Sequence, residues 1–288
     1  MRVPDAQHGL TPPFGQPDQP GRSESAAVPQ RFRRNTGSYL GDTIDIDVVL
    51  REISEAALTH GWAADPFEAE NHLTLPSYVR RGNRPASRLY ISAGIHGDEP
   101  AGPLAVRELM RRNSWPDTLD VWICPCLNPT GFPLNRRENI QGMDLNRQYM
   151  HFEAAEVRAH VAWLKRQPRF DTCLCLHEDW EANGFYLYEL NPDGRPTHSD
   201  AIIKEVAKVC PIDSGSIIEG RPALGGIIRP SADPVSRPQW PEAFYLLVNH
   251  CRHTYTLEAP SDFALDIRVR ALVQAVQTVV DGEATPKS

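Results

Sequence analysis

His96 and Glu99 stand three residues apart in the segment Gly94-Ile95-His96-Gly97-Asp98-Glu99. A neutral imidazole nitrogen and a carboxylate oxygen are both donors that first-row divalent metals accept, zinc among them. Glycines on either side of the histidine let the backbone turn sharply. A His-x-x-Glu pair alone is more often a surface hydrogen bond than a metal site. Its meaning depends on what the fold brings to it. Asn128, His177 and Glu258 are the obvious companions, because each follows a short apolar stretch just as His96 does.

Those stretches read as strands separated by helices. Ile44, Val48, Val49, Ile53, Ala56 and Ala57 repeat with helical spacing, and Gly61 follows as a stop. Residues 67–78 look like a strand, with a partner after Arg84. Residues 88–93 form a short apolar strand and 94–97 a loop, and Pro100 suits the start of a helix that runs to about Arg112. A strand is expected at 119–126, then a long polar connection over 128–146. A helix over 152–166 carries the stripe Val157, Val161 and Leu164. Strands follow at 172–176, running into His177, and at 185–190. Residues 200–210 and 241–250 read as helices, with a loop-rich stretch between them. A strand at 254–258 leads to a last helix, capped by Ser261 or Asp262 and ending near Val280. This alternation points to an α/β fold with helices on both faces of a largely parallel sheet. In open sheets of that kind, sites gather outside the carboxyl ends of the strands, where His96, Asn128, His177 and Glu258 would lie.

Composition bounds the partners. The chain has 288 residues, 41% of them hydrophobic and 23% charged, with a net charge of −7. An acidic balance argues against nucleic acid or an anionic membrane as the main partner. No apolar run reaches the roughly 18 residues needed to span a bilayer. The N-terminus lacks the apolar core of a secretory signal, so a cytoplasmic location is expected. Residues 1–37 are rich in Pro, Gly, Gln, Ser and Arg and read as a disordered tail, leaving 38–288 as a single domain. Of the six cysteines, Cys124 and Cys126, like Cys173 and Cys175, are spaced to share one face of a strand. They are expected to be buried, reduced thiols rather than disulfides or metal ligands.

Taken together, the motifs resemble those of the zinc carboxypeptidase superfamily. The segment from Gly94 through Glu99 to Pro100-Ala101-Gly102 is similar to its metal-binding signature. Asn128-Pro129-Thr130-Gly131, Arg137-Glu138-Asn139 and Asp144-Leu145-Asn146-Arg147 look like its Asn-Pro-x-Gly, Arg-x-Asn and Asp-Leu-Asn-Arg series. Cys175-Leu176-His177 resembles the strand end with the third ligand, and Thr256-Leu257-Glu258-Ala259-Pro260 the strand with the general base. The matches run in family order from about residue 88 to 260. The resemblance implies a three-layer α/β/α fold with a mixed, largely parallel central sheet. It also implies one zinc ion on His96, Glu99 and His177, with Glu258 as the base and Arg137 stabilising the oxyanion. Asn146 and Arg147 would hold a substrate carboxylate, and Asp144 would orient a ligand histidine, His96.

The sequence also departs from the digestive members of that superfamily. The run Glu178-Asp179-Trp180-Glu181 is unusually acidic, and would either select a cationic substrate group or form a hydrogen-bonded rim. The spacing from Glu99 to His177 is short, as in the compact murein peptide amidase and succinylglutamate desuccinylase/aspartoacylase branches. A phenolic donor is not evident, and Tyr186 and Tyr245 are candidates, though a core aromatic is the plainer reading of each. The expected activity is hydrolysis of an amide or peptide bond beside a free carboxylate, in a small peptide. The alternatives are deacylation of an N-acyl amino acid and a non-catalytic binding protein on the same scaffold.

Overall fold

A computed structural model of the chain describes residues 29–34, 41–231, 233 and 238–284. Most of the expected tail, residues 1–28 and 35–37, lies outside the described residues. Helix α1 spans Ile46–Thr59, and its N-cap Asp45 accepts a hydrogen bond from the Val48 amide. Strands β1 (Ala63–Ala64), β2 (Phe67–Ala69), β3 (Leu73–Leu75), β4 (Tyr78–Arg80) and β5 (Ser87–Ala93) follow. Next come α2 (Ala101–Arg112), β6 (Leu119–Cys124), α3 (Ala155–Leu164), β7 (Thr172–Asp179), β8 (Tyr186–Leu190) and α4 (Ser199–Val206). The short strands β9 (Ile217–Ile218), β10 (Arg221–Leu224) and β11 (Ile227–Ile228) precede α5 (Glu242–Asn249), β12 (Thr254–Pro260) and α6 (Leu265–Ala284).

Among the described residues, ten strands form one sheet in the order β1-β4-β6-β5-β7-β12-β8-β11-β10-β9. Its middle, β6-β5-β7-β12, is parallel, and antiparallel pairs flank it, so the sheet is mixed. Alternation along β5 sends Leu89, Ile91 and Ala93 into the core under α1, α2, α4 and α6. Tyr90, between them, enters the core under α3 and α5. Period-two burial on both faces is what a central strand between two helix layers requires. The three-layer α/β/α expectation therefore holds.

Several element-level expectations need correction. Residues 67–78 are not one strand. Asn71 and His72 have φ near +60°, which folds β2 back on β3 as a separate hairpin, and β4 alone joins the main sheet against β6. Cys124 and Cys126 do not share a face, because β6 ends at Cys124 and the two thiols enter different cores. Cys173 and Cys175 do share one, and all six cysteines are buried and free. The last helix begins at Leu265 and runs to Ala284, and Asp262 spends its carboxylate on residues 31–34 instead of on that helix.

Candidate active site

The site lies beyond the carboxyl ends of β5, β7 and β12. Gly94 leaves β5 with φ +61°, and a side chain at Gly97 would collide with the backbone of Gly131. The loop carrying His96 therefore crosses directly over the Asn128–Gly131 turn, which only glycine permits. Asn128 is fully buried and holds that turn. Its side-chain oxygen accepts from the Gly131 amide at 3.0 Å, and its amide group donates to the Arg137 carbonyl at 3.3 Å. It thus serves the scaffold of the site, one step removed from the chemistry.

His96, Glu99 and His177 converge. Nδ1 of His96 is 2.5 Å from Glu99 Oε1, and Nδ1 of His177 is 3.0 Å from Glu99 Oε2. The donor atoms of the three buried residues all lie within 4.8 Å of one another. Burial alone would raise the Glu99 carboxyl, but the two imidazoles hold it well below the usual range. Asp144 Oδ1 stands 3.3 Å behind His96, at the buried Nε2, as an ion-pair contact off the line of a good hydrogen bond. Two imidazoles and a carboxylate aiming at one point, with a carboxylate behind one ring, are a donor set suited to a divalent cation.

The other candidates surround this cluster. Asp144 accepts from Arg137 Nε at 2.8 Å and from the Asn146 amide at 2.9 Å, and Arg137 Nη1 is 3.7 Å from Glu99. Arg136 turns away to the Asn139 carbonyl. Asn146 accepts the Glu242 amide at 2.8 Å, leaving its NH2 group for the cavity, and Arg147 donates to the Asn146 carbonyl. Glu258 lies beside His177 in the parallel pairing of β12 with β7. Burial pushes its carboxyl up to about 8 against the lowering effect of His177.

One cavity of about 700 Å³ holds them all: His96, Glu99, Arg137, Asn146, Arg147, His177 and Glu258 line it. All four residues of the acidic run, Glu178 to Glu181, belong to its wall. Glu178 is bound to the Ala101 amide and to Arg268, so its carboxylate is structural. Tyr186 lines the cavity and donates to Asp179 at 3.1 Å, whereas Tyr245 packs in the core under α5. The sequence reading missed Tyr188, Glu219 and Arg221. They reach the wall through β8 and the β9–β10 turn, where Glu219 and Gly220 have positive φ. A Glu-Gly pair directly after the β-branched Ile217-Ile218 was the available signal for that turn.

Known proteins place this arrangement. The model of the succinylglutamate desuccinylase/aspartoacylase catalytic domain matches residues 85–205. A Shewanella denitrificans protein described as a metallopeptidase superposes with a TM-score of 0.73 at 22% identity, covering 87% of this chain and 99% of that one. The chain has a zinc carboxypeptidase-like fold. A metallo-carboxypeptidase from Pseudomonas aeruginosa shares that fold with a TM-score of 0.63 at 17% identity, over 84% of this chain and 70% of that one. Carboxypeptidase SOL1 of Arabidopsis thaliana is 31% identical over a stretch spanning 29% of this chain and 21% of that protein. The carboxypeptidase-like sheet explains why His96, His177 and Glu258, far apart in sequence, meet. Parallel β5, β7 and β12 are neighbours or near neighbours, and their carboxyl ends open on the same side.

Proposed function

We propose that this chain is a zinc-dependent hydrolase that cleaves an amide or peptide bond next to a free carboxylate, with one zinc ion on His96, Glu99 and His177. The observation that carries this reading is the convergence of both histidine Nδ1 atoms on one carboxylate inside a cavity that also contains Glu258. Three protein donors suit a catalytic zinc, since structural zinc sites use four. When bound, zinc supplies Lewis acidity, polarising a carbonyl and acidifying water.

The chain's own residues do the rest. Glu258 accepts the proton of the attacking water and passes it to the leaving amine nitrogen. Arg137, held by Asp144, stabilises the negative charge that develops on the carbonyl oxygen. Arg147 and the Asn146 NH2 group hold the substrate carboxylate, for which a guanidinium offers two parallel donors. Asp144 keeps the His96 ring in position from its Nε2 side. The Pseudomonas metallo-carboxypeptidase is in complex with a succinic acid derivative, (2-guanidinoethylmercapto)succinic acid, which agrees with a carboxylate-bearing substrate for this scaffold.

A second reading, deacylation of an N-acyl amino acid, is favoured by the desuccinylase/aspartoacylase match over residues 85–205. The same residues would act, on an acyl group in place of a peptide. Metal analysis of the purified protein with His96→Ala as control, followed by a screen of dipeptides, γ-glutamyl peptides and N-acyl amino acids, tests both. Zinc in the parent protein, its loss in the variant and hydrolysis of peptides support the first reading. Hydrolysis confined to N-acyl amino acids moves the assignment to the second. No co-purifying zinc, together with no stabilisation by added zinc, sinks both.

A further inference from the structure

Residues 31–34 lie just behind the cavity wall, and one buried carboxylate holds them there. Asp262 is 1% exposed. Its carboxylate accepts from Arg31 Nε at 3.0 Å and from the Arg33 and Arg34 amides, each at 2.9 Å. Its carbonyl accepts the Phe32 amide at 2.8 Å. Among the described residues, every donor to that carboxylate comes from this short arm. A buried carboxylate stripped of its donors is costly, so the contact is a built one.

Arg31 also reaches further. Its Nη1 donates to Asn183 Oδ1. Asn183 lies in the loop between β7 and β8, and that loop brings Trp180 and Glu181 to the cavity wall beside Asp179 at the end of β7. Asp262 follows Ser261, which lines the cavity from the end of β12 and donates its amide to the Asp179 carbonyl at 2.9 Å. One guanidinium therefore joins the loop after the His177 strand to the loop after the Glu258 strand. A planar fork with several fixed donors suits such a bridge, and an ammonium on a flexible stem does not.

We propose that Arg31 is a positioning residue for the substrate-binding rim, with residues 31–34 acting as a clasp across the β7 and β12 loops. The proposal rests on the reading that this cavity is the active site. The clasp binds Asp262 and Asn183, next to the wall residues Ser261 and Glu181, and none of the metal-binding or proton-transfer groups, so its loss acts on substrate binding.

Arg31→Ala and Arg31→Lys in the full chain test it, by amide hydrogen exchange and steady-state kinetics on a substrate that the screen identifies. In Arg31→Ala, exchange at Glu181 and Asn183 should quicken by about tenfold or more as the rim loosens. KM should rise by about tenfold, with kcat within about twofold and zinc content unchanged. Arg31→Lys keeps a charge for Asp262 and should restore slow exchange at Arg33 and Arg34, but recover KM only in part. Unchanged exchange at 181–183 in Arg31→Ala overturns the clasp, as does a parallel fall of kcat and zinc content. If the parent protein hydrolyses no amide, the functional reading fails, and exchange at 181–183 still decides the clasp.

Discussion

Glu258 and Asp144 are the residues whose proposed roles separate most cleanly. Glu258 moves a proton and holds no metal in this scheme, so Glu258→Gln should keep its zinc while kcat falls by about 10²- to 10⁴-fold. Zinc content by atomic absorption, measured beside activity, checks this, and a variant that loses both would make Glu258 a ligand or a structural residue. Asp144 stands behind His96, with Arg137 and the Asn146 amide on its carboxylate. Burial raises its carboxyl, but His96 and Arg137 win and hold it well below the usual range. Asp144→Asn should weaken zinc binding by about 10- to 100-fold, read by competition with a chromogenic chelator. Equal affinity would reduce Asp144 to a cap of the turn at Leu145–Arg147. The types and order of these residues were legible in the sequence. Tyr188, Glu219 and Arg221 were not: Tyr188 stands on a strand whose neighbours the sequence does not give, and Glu219 and Arg221 come from a stretch that reads as loop.

Among the elements, β7 and β8 carry buried charges that set their positions. Glu178 near the end of β7 binds the first residue of α2 and Arg268 of α6. Arg268 is fully buried and also pairs with Asp42. Removing one member of a buried pair strands the other, so Glu178→Ala should cost about 3–5 kcal/mol of stability in urea unfolding. A loss near zero would mean that Asp42 alone satisfies Arg268. On β8, burial raises Glu189 but bonds from His253, Thr197, Ser199 and Arg229 lower it further, to about 2. A carboxyl lowered in the folded state contributes stability above its ordinary value of 4.5, and that contribution is lost as pH falls toward about 2. Glu189→Gln should therefore flatten the acid side of the stability curve between those values, measured by thermal melts. An unchanged slope would assign the acid sensitivity to other carboxylates. The acidic run after His177 shows why sequence alone misjudged such charges: the Glu178 carboxylate is taken up by the Ala101 amide and Arg268, while Asp179 accepts from Tyr186 at the cavity wall.

For the molecule as a whole, the proposed zinc ligands His96, Glu99 and His177 join strands from the middle of the sheet, so occupancy should couple to global stability. Free zinc at about a thousandfold over its dissociation constant should stabilise the fold by about 4 kcal/mol, and a chelator should remove that gain. Thermal melts with and without chelator check this in the parent, and His177→Ala should show no response to zinc. A response equal to the parent's in His177→Ala would place the ion elsewhere. Among the described residues, no helix is long and apolar enough to cross a membrane.

The sequence by itself determined the α/β class and the parallel centre of the sheet, and it singled out His96, Glu99, His177 and Glu258 as candidates. Hydrophobic alternation and turn residues act locally, and they fix which residues stand at strand ends. Only the tertiary structure decided which strand neighbours which, and hence that a histidine 81 positions before Glu258, at His177, sits beside it. It also decided that Asp262 binds residues 31–34 and that the Glu178 carboxylate pairs with Arg268. Those outcomes depend on long-range packing and on which buried charges find partners, and neither is encoded in the spacing of residues along one segment.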